Sequence, residues 1–107
     1  MSNATVEDLA KAIKAGQEIV IVDVRSDDEL KAKPSNPGSV HIPIAEFNDR
    51  MSEVPEGPVV IHCAIGLRAK RGADALRAAG RCPVMNVTDC DAAKKVCEEA
   101  EELARKM

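Results

Sequence analysis

Cys63 is followed by Ala64, Ile65, Gly66, Leu67 and Arg68, and this short run has the residue types to do chemistry. An apolar stretch, Val59-Val60-Ile61-His62, leads into it, and a helical pattern from Ala69 to Ala79 leads out. The cysteine therefore falls at the C-terminal end of a strand, in a loop that opens onto a helix N-terminus. Backbone N–H groups at such a terminus point into the loop, and the helix dipole favours negative charge there. A cysteine so placed ionises below its solution pKa, and the thiolate is the nucleophilic form. The pattern describes an anion cradle around a reactive sulfur.

Charge follows the same pattern. The chain has a formal net charge of −3, which excludes a general nucleic-acid binder. Between Cys63 and Arg81, however, Arg68, Lys70, Arg71, Arg77 and Arg81 stand against the single acid Asp74. The expectation is that this positive charge serves an anion at the loop, with Arg77 and Arg81 equally readable as a solvated helix face. The four cysteines (Cys63, Cys82, Cys90 and Cys97) contain no C-x-x-C pair, so neither a zinc site nor a disulfide framework is expected. Mostly free thiols fit a reducing cytoplasm. No apolar run approaches the roughly 20 residues of a membrane span, and no signal-peptide pattern is visible. A leader removed ahead of Ser2-Asn3-Ala4 is left open.

The elements that must position the loop can be read from periodicity and capping. Thr5-Val6-Glu7-Asp8 opens a helix with Val6, Leu9, Ala10 and Ile13 on one face, ended by Gly16. Ile19 to Val24 is a β-branched run typical of a strand buried on both faces of a parallel sheet. Ser26-Asp27-Asp28-Glu29 is a capping box for a short second helix. Pro34 to Gly38 is a loop, Val40-His41-Ile42 a brief extended piece, and Ala45 to Met51 a short helix. Pro55 to Pro58 turns the chain into the strand before Cys63. Val84 to Val87 reads as the last strand, with Cys82 and Cys90 in loops on either side of it. Asp91 to Met107 is an amphipathic helix with Ala93, Val96, Cys97, Ala100, Leu103 and Ala104 inward. Strands and helices alternate, which predicts an α/β fold: a parallel β-sheet flanked by helices on both faces. One domain over residues 1–107 accommodates all of it. Ligands in such folds bind beyond the carboxyl ends of the strands, where Cys63 and Asp23 to Arg25 would both lie.

An ordered set of segments resembles the rhodanese family of single-domain sulfurtransferases. The segments are Val22-Asp23-Val24-Arg25 with Glu29-Leu30, then Pro37-Gly38-Ser39-Val40-His41-Ile42-Pro43, then His62-Cys63-Ala64-Ile65-Gly66-Leu67-Arg68 and its helix to Leu76 and Gly80. The resemblance implies the three-layer rhodanese-like fold and transfer of sulfane sulfur with no cofactor and no metal. Cys63 would take sulfur from a small anion such as thiosulfate, as a persulfide, and pass it to a thiol or protein acceptor. Amides of Ala64, Ile65, Gly66, Leu67 and Arg68 would bind the sulfur anion, Arg68 would close the loop and meet the donor, and Asp23 with Arg25 would support it from behind. The chain departs from the family's usual pattern at Pro34-Ser35-Asn36 and at Val87-Thr88-Asp89-Cys90, and ahead of Thr5, where the customary first strand is short or absent.

The loop's length separates chemistries. Cysteine phosphatases need five residues between cysteine and arginine to wrap three phosphoryl oxygens, whereas Cys63 and Arg68 are separated by four. That count favours a persulfide over a phosphatase or arsenate reductase. A sulfur-carrier or regulatory binding module of the same fold is the other alternative. His62 and His41 read as structural residues, and Cys97 as a small buried apolar one.

Overall fold

The computed structural model describes residues 3–107. Helix α1 spans Val6–Lys14 and begins with a reciprocal capping box, in which the Thr5 hydroxyl accepts from the Asp8 amide while the Asp8 carboxylate accepts from the Thr5 amide. Strand β1 (Val20–Asp23) follows, then α2 (Asp27–Ala32), opened by the same device between Ser26 and Glu29. Strand β2 is Val40–His41. The short helix expected over Ala45 to Met51 is broken into three: a 3₁₀ turn at Ile44–Glu46, α3 (Phe47–Arg50) and a second 3₁₀ turn at Met51–Glu53. Strand β3 (Val59–His62), α4 (Leu67–Ala78), β4 (Val84–Asn86) and α5 (Cys90–Lys106) complete the chain.

The four strands are all parallel, in the order β2-β1-β3-β4. Val22 pairs with Val40 on one side and Ile61 on the other, and Val59 pairs with Val84. Successive side chains of a strand point to opposite faces, and the core divides accordingly. Val59 and Ile61 of β3 face Phe47, Ala69, Ala73 and Leu76, beneath α3 and α4. Val60, between them, faces Leu9, Ala93, Cys97 and Ala100, beneath α1 and α5. The sheet is thus covered on both faces, as the continuous apolar runs of β1 and β3 required.

Two close approaches shape this core. Phe47, the sole aromatic residue, is almost wholly buried against α4. Opposite it, Gly72 brings α4 so near the sheet that a Cβ there would lie 2.6 Å from Ile61 Cδ1. The edge at β4 is also closed. The Ala4 amide donates to Val84 O at 3.1 Å, while the Asn3 side chain accepts from the Asn86 amide and donates to its carbonyl. Residues 3 and 4 do the work of a neighbouring strand.

Arg77 is a correction to the charge reading. It is buried, and its guanidinium donates to Val84 O at 2.9 Å, Asn3 Oδ1 at 2.8 Å and Asp74 Oδ1 at 3.2 Å. Arg81 donates to the carbonyls of Val54 and Pro55. Both serve the N-terminal ends of the strands, opposite Cys63, because backbone carbonyls there need donors. No helix among the described residues is long and apolar enough to cross a membrane.

Phe47→Ala empties the largest volume in the α3–α4 layer. Urea denaturation should show a loss of about 3–5 kcal/mol, a large share of the 5–15 kcal/mol typical of such domains.

Candidate active site

The chain leaves β1 to build β2 on one side, then returns to build β3 on the other, so the direction of winding reverses between β1 and β3. Crevices beyond the carboxyl ends at such a reversal are the usual ligand sites of α/β sheets. Cys63 follows β3 there, and Arg25 follows β1.

Cys63 is completely buried. Its amide donates to Thr88 O at 3.3 Å, which ties the loop's root to the end of β4. Its Sγ accepts from the Gly66 amide at 3.0 Å. Gly66 is the N-cap of α4 and has no side chain to cap the helix, so the Cys63 sulfur takes that role. Burial pushes the thiol up, but the amides of Ala69, Gly66, Ile65 and Arg68 outweigh it and bring Cys63 below the ordinary thiol value. Gly66 sits at φ +102°, and a Cβ on it would lie 3.6 Å from Thr88 Cα. That left-handed conformation strains any other residue, and it is what turns the amides inward. Ala69, one residue past the expected cradle, belongs to it as well.

Arg68 closes the loop, but its guanidinium is not turned out to solvent alone. It forms a two-pronged pair with Glu29 of α2, Nη1 to Oε1 at 2.6 Å and Nη2 to Oε2 at 2.9 Å. Glu29 also accepts from the Ser26 amide at 3.0 Å, so one carboxylate caps α2 and clamps the reactive loop. Arg68 and the Ser26 amide together hold Glu29 down to about 2. The capping box signalled Glu29 in the sequence; its second role needed the tertiary fold.

Behind the loop, Asp23 and Arg25 form a buried fork. Arg25 Nε lies 3.0 Å from both Asp23 oxygens, Nη2 donates to Oδ2 at 2.7 Å, and the Arg25 amide donates to Oδ1 at 2.9 Å. The Ser35 hydroxyl donates to the same Oδ2. Burial pushes the Asp23 carboxyl up, yet the hydrogen bonds from Arg25 and Ser35 keep it below its ordinary value. His62, paired in register with Asp23 across β1 and β3, is wholly buried with Nε2 3.8 Å from Asp23 Oδ2. Burial pushes the imidazole down and keeps it neutral at neutral pH. It is the structural residue expected, with Nδ1 3.4 Å from Cys63 O, while Nε2 has no partner within hydrogen-bond distance. His41 Nε2 lies 2.7 Å from Arg25 O and braces the same corner.

The other cysteines separate clearly. Cys97 lies in the apolar layer under α5, where burial pushes its thiol up to about 11. Cys82 is exposed in its loop, as expected. Cys90 is not in a loop: it is the buried first residue of α5, and its carbonyl accepts from Asn36 Nδ2 at 3.1 Å. Two cavities of about 490 and 370 Å³ lie against α1 and involve neither Cys63 nor Arg68.

Two outcomes follow from this geometry. A thiol whose pKa is lower folded than unfolded binds more protons in the unfolded chain across the window between the two values, so stability rises with pH there. Cys63 should therefore add stability that is complete above the ordinary thiol pKa and fades as pH falls through its folded value. Urea midpoints against pH should show this rise in the wild type and not in Cys63→Ser. Separately, Asp23→Ala strands Arg25 in the interior and should cost about 3–5 kcal/mol in the same measurement.

The family profile described as Rhodanese-like domain matches residues 5–89. No curated protein matches the chain. Among solved structures, a rhodanese-related protein from Thermoplasma volcanium is 25% identical with a TM-score of 0.64, over 92% of this chain and 93% of that one. CoADR-RHD from Bacillus anthracis is 28% identical with a TM-score of 0.61, over 97% of this chain and 18% of that one. An NAD-dependent persulfide reductase from A. fulgidus is 36% identical with a TM-score of 0.60, over 72% of this chain and 14% of that one. The chain thus spans less than a fifth of the last two proteins. With its four-stranded parallel sheet and its match over residues 5–89, the chain belongs to the rhodanese-like domain family.

Proposed function

We propose that this protein is a sulfurtransferase that carries sulfane sulfur as a persulfide on Cys63. The observation that supports it best is the sulfur itself, buried and solvated by main-chain amides at the head of α4. With thiosulfate, the Cys63 thiolate attacks the outer sulfur, the sulfur–sulfur bond of the donor breaks, and sulfite leaves with the electron pair. The persulfide anion that remains is held by the same amides, which lie in fixed positions before the charge arrives. A thiolate or cyanide then attacks the outer sulfur, and Cys63 leaves as thiolate. No cofactor enters either step. The resemblance to a persulfide reductase and to CoADR-RHD agrees with sulfur chemistry at this cysteine.

Arg68 and Asp23 with Arg25 have graded roles in this reading. Arg68 holds the loop closed through Glu29, and the Asp23–Arg25 fork fixes the corner on which the loop rests. A phosphatase would need the arginine on the phosphoryl oxygens, but here both prongs of Arg68 are already on Glu29. The same pairing favours the carrier reading as the second choice. A guanidinium held by a carboxylate attracts a small dianion weakly, so thiosulfate would turn over slowly.

Mass spectrometry after thiosulfate treatment tests both. One added sulfur should appear on Cys63, disappear with cyanide and be absent from Cys63→Ser. A wild type that gains no sulfur from thiosulfate or from any persulfide, yet releases phosphate from a phosphoester, would refute sulfur transfer.

A further inference from the structure

A cavity of about 490 Å³ opens between α1, α4 and the start of β4, at the end of the sheet opposite Cys63. Three cations line it, Lys11, Arg77 and Arg81, against the single acid Asp8, in a chain whose net charge is −3. Asp8 is already engaged, since its carboxylate accepts from the Thr5 amide at 2.9 Å. Arg81 has its two outer nitrogens on the carbonyls of Val54 and Pro55, which leave its charge uncompensated. Neither Arg81 nor Lys11 forms an ion pair among the described residues.

Arg77 carries the argument further, because it is only 9% exposed. Its one acid partner, Asp74, lies 3.2 Å away, is half exposed, and is shared with Lys70 at 2.8 Å. Arg77 Nη2 donates to Val84 O, Asn3 and Asn86, but Nε donates to nothing among the described residues. That Nε is not sealed away, since the buried side-chain polar atoms without a partner are Ser39 Oγ and His62 Nε2. A buried cation with a shared, half-exposed counter-charge gains from a further anion. Beside the charges, Ala4, Pro83 and Val84 give the cavity an apolar wall. Its volume falls in the range of small-molecule sites.

We propose that this cavity binds a small organic anion, with a carboxylate or phosphoryl headgroup for Lys11, Arg77 and Arg81 and an apolar body for Ala4, Pro83 and Val84. A bare inorganic ion would leave the apolar wall wet, and a neutral apolar molecule would leave Arg77 with its shared partner. The anion would join α1, α4 and the start of β4, so its binding adds stability to the fold by mass action. The site is independent of sulfur transfer at Cys63, which lies at the other end of the strands.

Exposed Cys82 is part of the cavity wall and reports its occupancy. Alkylation by iodoacetamide, followed peptide by peptide in a mass spectrometer, reads Cys82 and Cys63 in one sample. Hexanoate or hexyl phosphate at millimolar concentration should slow Cys82 at least fivefold, change Cys63 less than twofold, and raise the urea midpoint. Whichever acts at the lower concentration names the headgroup. Hexanol and hexylamine should do neither, and inorganic phosphate should need at least tenfold more. Lys11→Glu, on the exposed side of α1, should raise the half-protecting concentration at least tenfold, with a smaller rise in Lys11→Gln and in raised salt. Failure of both acids to protect Cys82 would overturn the proposal, as would equal protection by hexanol or indifference to Lys11→Glu and salt. Protection by inorganic phosphate as strong as by either acid would reduce the site to an adventitious ion only and overturn it too. Protection of Cys63 in place of Cys82 would move the anion to the reactive loop, against the proposal and without harm to sulfur transfer.

Discussion

A sulfur cut off from water keeps a negative charge only if something else solvates it. In this fold the solvating groups are backbone amides, and the rest of the site is arranged so that they converge. Ile65, Gly66, Arg68 and Ala69 can all aim at one atom because Gly66 adopts a positive φ at the start of α4. Thr88 lies behind that turn in ordinary van der Waals contact, 3.6 Å from where a Cβ on Gly66 would sit. Thr88 is held in place because its carbonyl accepts from the Cys63 amide. The strand order fixes the rest, since parallel pairing puts the ends of β3 and β4 at one edge and their adjacency sets Cys63 beside Thr88.

Closure of the loop is electrostatic and local. Arg68 reaches across from α4 to Glu29 in α2, and Glu29 is itself fixed by the Ser26 amide. The positive charge nearest the sulfur is therefore matched by a negative one, yet the Arg68 guanidinium still faces Cys63 beside the amide dipoles that hold its thiol down. In the proposed transfer, such amide dipoles would cost no reorganisation as the sulfur gained or lost its outer atom.

Local signals in the sequence carried most of this. The β-branched runs of β1 and β3, the helix start at Thr5, the capping box at Ser26 and the glycine before α4 each have a physical meaning within a few residues, and each element formed within two residues of where they predicted. The reactive loop was legible for the same reason, because a strand end, a cysteine, a glycine and a helix start are consecutive. What was hidden depends on distant partners. Glu29 was readable as a cap for α2, but its hold on Arg68 spans 39 positions. Arg77 was equally readable as a charge serving the loop or as a solvated helix face, and is instead the donor that satisfies Val84 O and Asn3 at the far end of the sheet. Cys90 looked like a loop residue because its helix begins one position earlier than the amphipathic pattern does. Long-range polar pairs leave no periodicity, so no local reading could have found them.

Two of the places where the chain departs from its family's pattern have a common physical answer. Ser35 and Asn36 lie in one such stretch, and both turn their polar atoms inward. Ser35 donates to Asp23 behind the cradle, and Asn36 donates to the carbonyl of Cys90 at the head of α5. Asp89, in the other stretch, caps α5 by accepting from the Ala92 amide at 2.8 Å, and Lys33 reaches Asp91 at 3.0 Å. The two stretches are thus fastened to each other, and through Asp23 to the corner beneath Cys63. These hydrogen bonds back the site, and Asp23 and Arg25 are their buried members. They hold it only in one geometry, because each buried donor and acceptor costs free energy when its partner moves away. A site built this way keeps its back wall rigid by polar pairing, while Ile65 and Leu67 of the loop stay exposed.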